Sequence, residues 1–331
     1  MKKIDRRQFV KNLSLASIPF FTKLKVPADV LKFTLGFWQA TKIQQLFSKL
    51  LLSNVSLATI EREGKVGMFT NGVVVGDDLA ERAAMAITYL KKRPVMMPVP
   101  VATSITELNK MQEVATDEGH KMGVISHYHL FQSVIKVKEI IRRGILGKIK
   151  QIDLLVHESE PGMMITAGAD GFLGWYFHPL YLTTMFLNNE PTSLQAKNYS
   201  GSKPFSNIYF DFAGGATVNL SVKDNLSKEH WIMNIRAENG TLKLDGNQKI
   251  NFKDNDGKTT LFSFDSQDYK FSLEATVLNF VEAVQEEEVK QQSTKSLAFL
   301  SVAWHQAMEQ SLASGERVNI EQQKTETSNI D

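Results

Sequence analysis

The sequence contains no cysteine, so disulfides, thiolate metal centres, iron–sulfur clusters and a cysteine nucleophile are excluded together. Net charge is nearly absent: 38 Lys and Arg stand against 36 Asp and Glu, giving +2 at pH 7. Such a balance offers no electrostatic basis for binding nucleic acid or a membrane surface. No segment approaches the roughly 20 apolar residues of a membrane span. Internal repeats are lacking, and the histidines match no zinc spacing, so no metal is expected. What remains is ordinary: 331 residues, 43% hydrophobic and 22% charged. That is enough for one large soluble domain or two medium ones.

The N-terminus, MKKIDRRQFVKNLSLASIPFF, has a basic start, the pair Arg6–Arg7, and Phe9 two residues later. DRRQFVK resembles a twin-arginine export signal, which implies a periplasmic or exported protein. The other reading is a basic amphipathic helix on a chain that stays cytoplasmic; the apolar stretch is short and interrupted by Pro19.

From about residue 32 short apolar runs alternate with helical patterns. LKFTLGFW, NVSLATIE, Val73–Val75, RPVMMPVP and MGVISHYH read as strands. Between them, Asp77 or Asp78 caps one helix, and Ser104 with Glu107 has the spacing of a capping box for another. Strand–helix alternation of this kind implies a parallel sheet covered by helices. After Gly147 the strands lengthen and turn signals separate them, which predicts an open, mainly antiparallel sheet closed by two C-terminal helices. The tail 321–331 is polar and is expected to be disordered.

The order of landmarks resembles the Gfo/Idh/MocA family of glucose–fructose oxidoreductases and inositol dehydrogenases. KKRPVMMPVPVATSITEL, IIRRGILGKIKQID, His178 followed by LYLTTMFLNNEPTSLQA, FDFAGGATVNL, RAENGTLKLDG and AWHQAMEQSLASGERVNI fall in the family's order. The resemblance implies a shortened N-terminal Rossmann-like parallel-sheet domain and a C-terminal α+β domain with an open, mainly antiparallel sheet. It divides the chain into a leader (1–27), a degenerate nucleotide-binding domain (28–126), a C-terminal domain (127–320) and a tail (321–331). It also implies NAD or NADP as cofactor, a sugar or polyol as substrate, and a homo-oligomer or a pairing with a paralogue through the C-terminal sheet.

Several chemistry-bearing positions depart from the family pattern. Dinucleotide binding wants a glycine-rich turn after the first strand. Here LGFWQATK offers Gly36 alone, with Trp38 where a pyrophosphate needs space, and Glu61 as the acidic residue about 20 positions on. The family's lysine between the last buried strand and the cleft falls at Val99, flanked by Pro98 and Pro100. Valine can neither donate a hydrogen bond nor carry charge. His178 matches the family's general acid/base, a role suited to an imidazole. Its carboxylate neighbours are replaced by Tyr181 and Gly174. His127, Tyr128 and His129, with Trp175, Tyr176 and Phe177, are candidate substrate-contacting residues. If the strand runs that far, His127 and His129 share a face, with His157 on the next strand. The aromatics would form a sugar-stacking platform; ordinary packing between the domains is the other reading. Two functions follow: a degenerate relative that binds a sugar or polyol with hydride transfer weakened or lost, or an exported NAD(P)-dependent sugar oxidoreductase using His178.

Overall fold

The computed structural model describes residues 33–50, 52, 55–60, 70–76, 78–157, 172–197, 207–223, 230–265, 268–285 and 292–320. The leader, Glu61 and the tail lie outside them. The first alternation of apolar runs and helices gives β1 (Phe33–Trp38), α1 (Thr41–Phe47), β2 (Val55–Thr59), β3 (Gly72–Val75), α2 (Leu79–Leu90), β4 (Val95–Pro98), α3 (Ile105–Asp117) and β5 (Met122–Ile125). A single 3-10 turn (Tyr128–Leu130) then leads into α4 (Gln132–Arg142). The strands form a parallel sheet in the order β2-β1-β3-β4-β5. Its interior strands β3 and β4 are buried throughout, as expected for a parallel sheet covered on both faces.

Local signals set the helix starts. The Asp78 carboxylate accepts from Ala80 N at 2.9 Å, and Ser104 Oγ accepts from Glu107 N at 3.2 Å. The capping box closes one residue early, because Glu107 Oε2 accepts from Thr103 N and the Thr103 hydroxyl rather than from Ser104 N. β4 tolerates its prolines because the ladder is asymmetric. Pairing to β3 involves Val95 and Met96 only, so Pro98 keeps just its β5 neighbour, Ile125.

The second half contains β6 (Ile149–His157), α5 (Phe172–Leu187), β7 (Pro191–Lys197), β8 (Asn207–Phe212), β9 (Thr217–Lys223), β10 (His230–Ala237), β11 (Gly240–Asp245), β12 (Lys249–Asp254) and β13 (Thr259–Ser263). α6 (Asp268–Gln285), α7 (Gln292–Ser314) and the two-residue β14 (Val318–Asn319) close the described chain. The sheet order is β13-β12-β11-β10-β6-β9-β8-β7-β14, and only β6 and β9 are parallel neighbours. Its uncovered face is polar. At its middle, Asp153 accepts from Gln151 and Asn219 and pairs with Arg236 at 3.2 Å.

The two halves are stitched together by the C-terminal helices. α6 returns to the first sheet, where Leu273, Val277 and Phe280 pack with Phe33, Leu35, Phe37 and Phe47. Gly123 makes room for this crossing: a Cβ there would sit 2.5 Å from the Phe280 ring. α7 runs from β5 to β7, placing Trp304 against Phe177 of α5 and Phe210 of β8.

Candidate functional site

In an open parallel sheet, ligands bind beyond the carboxyl ends of the strands where the strand order reverses. The order β2-β1-β3 puts that point between β1 and β3. Gly36 does not lie in the turn there. It sits inside β1, paired to Ala58 and Val73, and a Cβ would come within 2.7 Å of Ile60. Its glycine identity therefore serves close packing within the sheet. The turn itself is Trp38-Gln39-Ala40, with Gln39 in the left-handed region at φ 43°. Glycine visits that region without the Cβ penalty that glutamine carries.

Backbone and side chains approach closely on either side of this crevice. A Cβ on Gly76, just past β3, would lie 2.5 Å from Ala40 Cβ and 2.8 Å from Gln39 O. Gly76 N donates to Trp38 O at 3.1 Å, closing the ladder across the reversal point. The Trp38 ring lies 6.1 Å from Tyr89 of α2, and its buried Nε1 has no hydrogen-bond partner. Arg82 of α2 is 1% exposed and donates from Nε to Gly76 O at 2.9 Å and from Nη1 to Pro100 O. It thereby ties the end of β3 to the turn after β4. That turn contains Val99, 1% exposed, joined to Pro100 by a cis peptide bond. α1 has seven residues, and its N-cap Ala40 makes no side-chain cap bond. Dinucleotide sites present backbone N–H groups to open space at this turn; among the described residues the turn carries Gln39 and Ala40 in place of glycines.

One turn along the sheet, a second cluster forms at the junction of the two halves. β5 ends at Ile125, so His127 and His129 do not share a strand face; the 3-10 turn replaces the expected extension. A long-range staple fixes this turn. Thr276 of α6 donates to Ser126 O at 3.2 Å, and Asp268 Oδ2 accepts from Gln132 N at 2.8 Å, capping α4. His127 is enclosed by Tyr128, Phe131, His178 and Tyr269, with ring centroids 4.8 to 5.8 Å away. Tyr128 stacks on His178 at 5.1 Å and on Trp231 at 5.8 Å. At 2% exposure it offers no free face, so the stacking platform expected of it is taken by packing. Tyr176 and Phe177 are likewise buried, whereas Tyr181 packs edge-on to His129 at 6.5 Å. Trp175 lies in α5 and His157 ends β6, but their side chains are outside the described set.

Burial favours the neutral form of the imidazoles in this cluster. It depresses His127 well below its usual value, with His178 and His129 adding to the effect. The same desolvation, then His129, pushes His178 to about 3, and desolvation followed by Lys138 pushes His129 to about 4. Both His127 ring nitrogens, Nδ1 of His129 and His178, Ser126 Oγ and Asp268 Oδ1 are buried without a hydrogen-bond partner. Asp268 is the carboxyl that local sequence could not associate with the histidines. Burial raises it to about 7, against the opposing bond from Gln132 N. Among the described residues no group of three or more His, Asp or Glu is arranged to hold a metal. No helix there is long and apolar enough to cross a membrane.

No protein-family model matches the sequence, and a comparison with curated proteins finds no match. Solved structures do resemble it. An inositol dehydrogenase homolog from Azotobacter vinelandii, complexed with NADH and myo-inositol, superposes with a TM-score of 0.68 at 14% identity, over 88% of this chain and 98% of that one. An oxidoreductase from Agrobacterium radiobacter, in complex with NAD+, L-tartaric acid and magnesium, gives 0.67 at 14%, over 87% and 98%. An aldose-aldose oxidoreductase from Caulobacter crescentus, complexed with glycerol, gives 0.65 at 14%, over 87% and 99%. At this identity the likeness establishes the fold. The chain has the two-domain fold of the Gfo/Idh/MocA-type oxidoreductases.

Proposed function

We propose that this protein binds a sugar or polyol at the junction of its two halves and that NAD(P)-dependent hydride transfer in it is weakened or lost. The observation that carries the reading is the close approach across the crevice, where Gly76 abuts Ala40 and Arg82 bridges Gly76 to Pro100. The buried Val99 supports it, because no ammonium stands at the mouth of β4 to polarise a hydroxyl or carbonyl. The ligand class is supported by the myo-inositol and glycerol of the structural neighbours. Chemistry at the junction agrees. A neutral imidazole offers one donor and one acceptor, which a hydroxyl complements without any charge to neutralise. DRRQFVK supports delivery outside the cytoplasm as part of this proposal.

A second reading keeps NAD or NADP and uses His178 as acid/base. The NAD-type cofactors of the neighbours favour it. Against it, an imidazole pushed to about 3 is a weak base at neutral pH, far from the matched value that proton transfer requires. Titrating NADH and NADPH into the full chain, followed by nicotinamide fluorescence, separates the readings. The proposal expects no micromolar binding of either, together with a thermal shift from myo-inositol or an aldose. Micromolar binding of NADH or NADPH overturns it.

A further inference from the structure

α4 and its C-cap carry four cations, Lys136, Lys138, Arg142 and Arg143, against one carboxylate, Glu139. Glu139 takes two of them, Lys136 at 2.7 Å and Arg143 at 3.4 Å, and Arg142 is exposed to solvent. Lys138 is the remainder. It is partly buried, and among the described residues it makes no hydrogen bond or ion pair.

Helix geometry aims it at the junction. The Lys136 ammonium lies 5.2 Å over the ring of Phe262, on the side of the second sheet. Two residues further, about 200° around the helix, Lys138 turns away from that sheet. It acts on the charge of His129 in the 3-10 turn, and that turn and α5 both pack against α4. Tyr181 of α5 stands edge-on to the same imidazole at 6.5 Å. His129 and Tyr181 are each partly exposed, so they form the rim of the cluster. Nδ1 of His129, and deeper in that of His178, is buried without a hydrogen-bond partner. A surface lysine ordinarily buries its stem and keeps its ammonium in water. Here burial lowers the ammonium of Lys138 itself, and no carboxylate among the described residues offsets that cost; Glu190 acts on Tyr181 instead. Withdrawing a charge from water is unfavourable unless an opposite charge meets it.

We propose that the ligand taken at the junction is a sugar acid, whose carboxylate lies between Lys138 and His129 while its hydroxyls reach toward His178. This rests on the sugar or polyol reading given above and narrows it. Charge selects a carboxylate. One ammonium balances one negative charge, and the neutral imidazoles and the Tyr181 phenol add no second positive charge. Among the described residues Lys138 is the cation that acts on His129. A phosphate ester, at about −1.5 to −2 near pH 7, would leave part of its charge unopposed. The donors also suit a carboxylate, which accepts from the Lys138 ammonium and from a neutral imidazole N–H at once.

The test compares ligands that differ in that one group: D-gluconate against D-glucitol, and D-glucuronate against D-glucose, titrated calorimetrically into the full chain near pH 7. The acid of a pair is expected to bind at least about tenfold more tightly than its neutral partner. That advantage is expected to shrink as NaCl rises from about 0.05 M to about 0.5 M. In Lys138→Met, which keeps the apolar stem, the ratio of acid to neutral affinity is expected to fall to about one. Lys138→Arg, which restores the charge, is expected to recover a preference for the acid. Acids that bind no more tightly than their neutral partners overturn this inference and leave the sugar or polyol reading standing. A preference for the acid that persists in Lys138→Met overturns it as well, as does D-glucose 6-phosphate binding more tightly than D-glucuronate. If none of these compounds binds up to about 10 mM, both the inference and the reading beneath it are overturned.

Discussion

Acidification from pH 7 to pH 5 is expected to destabilise the fold through the imidazoles buried at the junction. The sign follows from which state binds protons first. A histidine whose folded value is depressed stays neutral in the native protein, while the unfolded chain takes up a proton near pH 6.5. Stability is therefore full above about pH 6.5 and falls as pH drops toward the folded value. His178, at about 3, is still neutral at pH 5 and costs about 2 kcal/mol there, a figure set by the unfolded chain's affinity for the proton. His127, which burial first and then His178 and His129 hold well below 6.5, acts in the same direction by up to about 2 kcal/mol. His129, at about 4, is partly exposed, so solvent screening reduces its share to roughly 1 kcal/mol. Asp268 opposes them. Its carboxyl is raised to about 7, so its protonation below pH 7 favours the native state by about 2 kcal/mol at pH 5. Tyr181 stays neutral across this range, since burial raises it further from an already alkaline value. The histidines win by up to about 3 kcal/mol, which corresponds to a fall in Tm of up to about 4 °C for a chain of this length. Thermal unfolding followed by circular dichroism from pH 7 to pH 5 measures this directly. His127→Phe is the decisive control, because it removes two unpartnered nitrogens from an aromatic cage and should flatten the profile by up to about 2 kcal/mol. A profile that is flat or rises on acidification refutes the reasoning, as does a slope in His127→Phe equal to that of the unsubstituted protein.

Two further outcomes follow from close contacts. Arg82→Met should lower stability by about 2–4 kcal/mol, measured by urea unfolding, because it strips hydrogen bonds from Gly76 O and Pro100 O in a closed interior. Gly123→Ala should cost about 1–3 kcal/mol by the same measurement, since its Cβ meets the Phe280 ring at 2.5 Å. Combining it with Phe280→Leu should recover at least about 1 kcal/mol relative to additivity, and strict additivity would show that α6 does not press on β5 there.

Much of the architecture was legible because its signals are local. The alternating runs gave the parallel sheet, the lengthening strands after Gly147 gave the second sheet, and Asp78 and Ser104 marked their helices. Glycine scarcity in LGFWQATK and valine at position 99 pointed to a turn poorly suited to a dinucleotide. The candidate site was legible only as a set of names. MGVISHYH looks like one strand, yet it breaks after Ile125 because α6 anchors Ser126 and caps Gln132 from well over 100 residues away. Tyr128 looked like a sugar platform until His178 and Trp231 were stacked on it.

Arg82 marks the division most clearly. In DLAERAAMAITYL it reads as one more charged residue on an amphipathic helix. Periodicity along a chain reports which positions are apolar, and it is silent about which backbone carbonyls a long side chain reaches. The sequence by itself determined the two sheets, the order of their elements and the residues missing from the nucleotide turn. Tertiary structure alone decided that Gly76 would close on Ala40, that Arg82 would bridge β3 to the turn holding Val99, and that Asp268 would cap α4 at Gln132. Most of those contacts join segments well separated along the chain, and Asp268 reaches Gln132 only once α6 has returned from the second half.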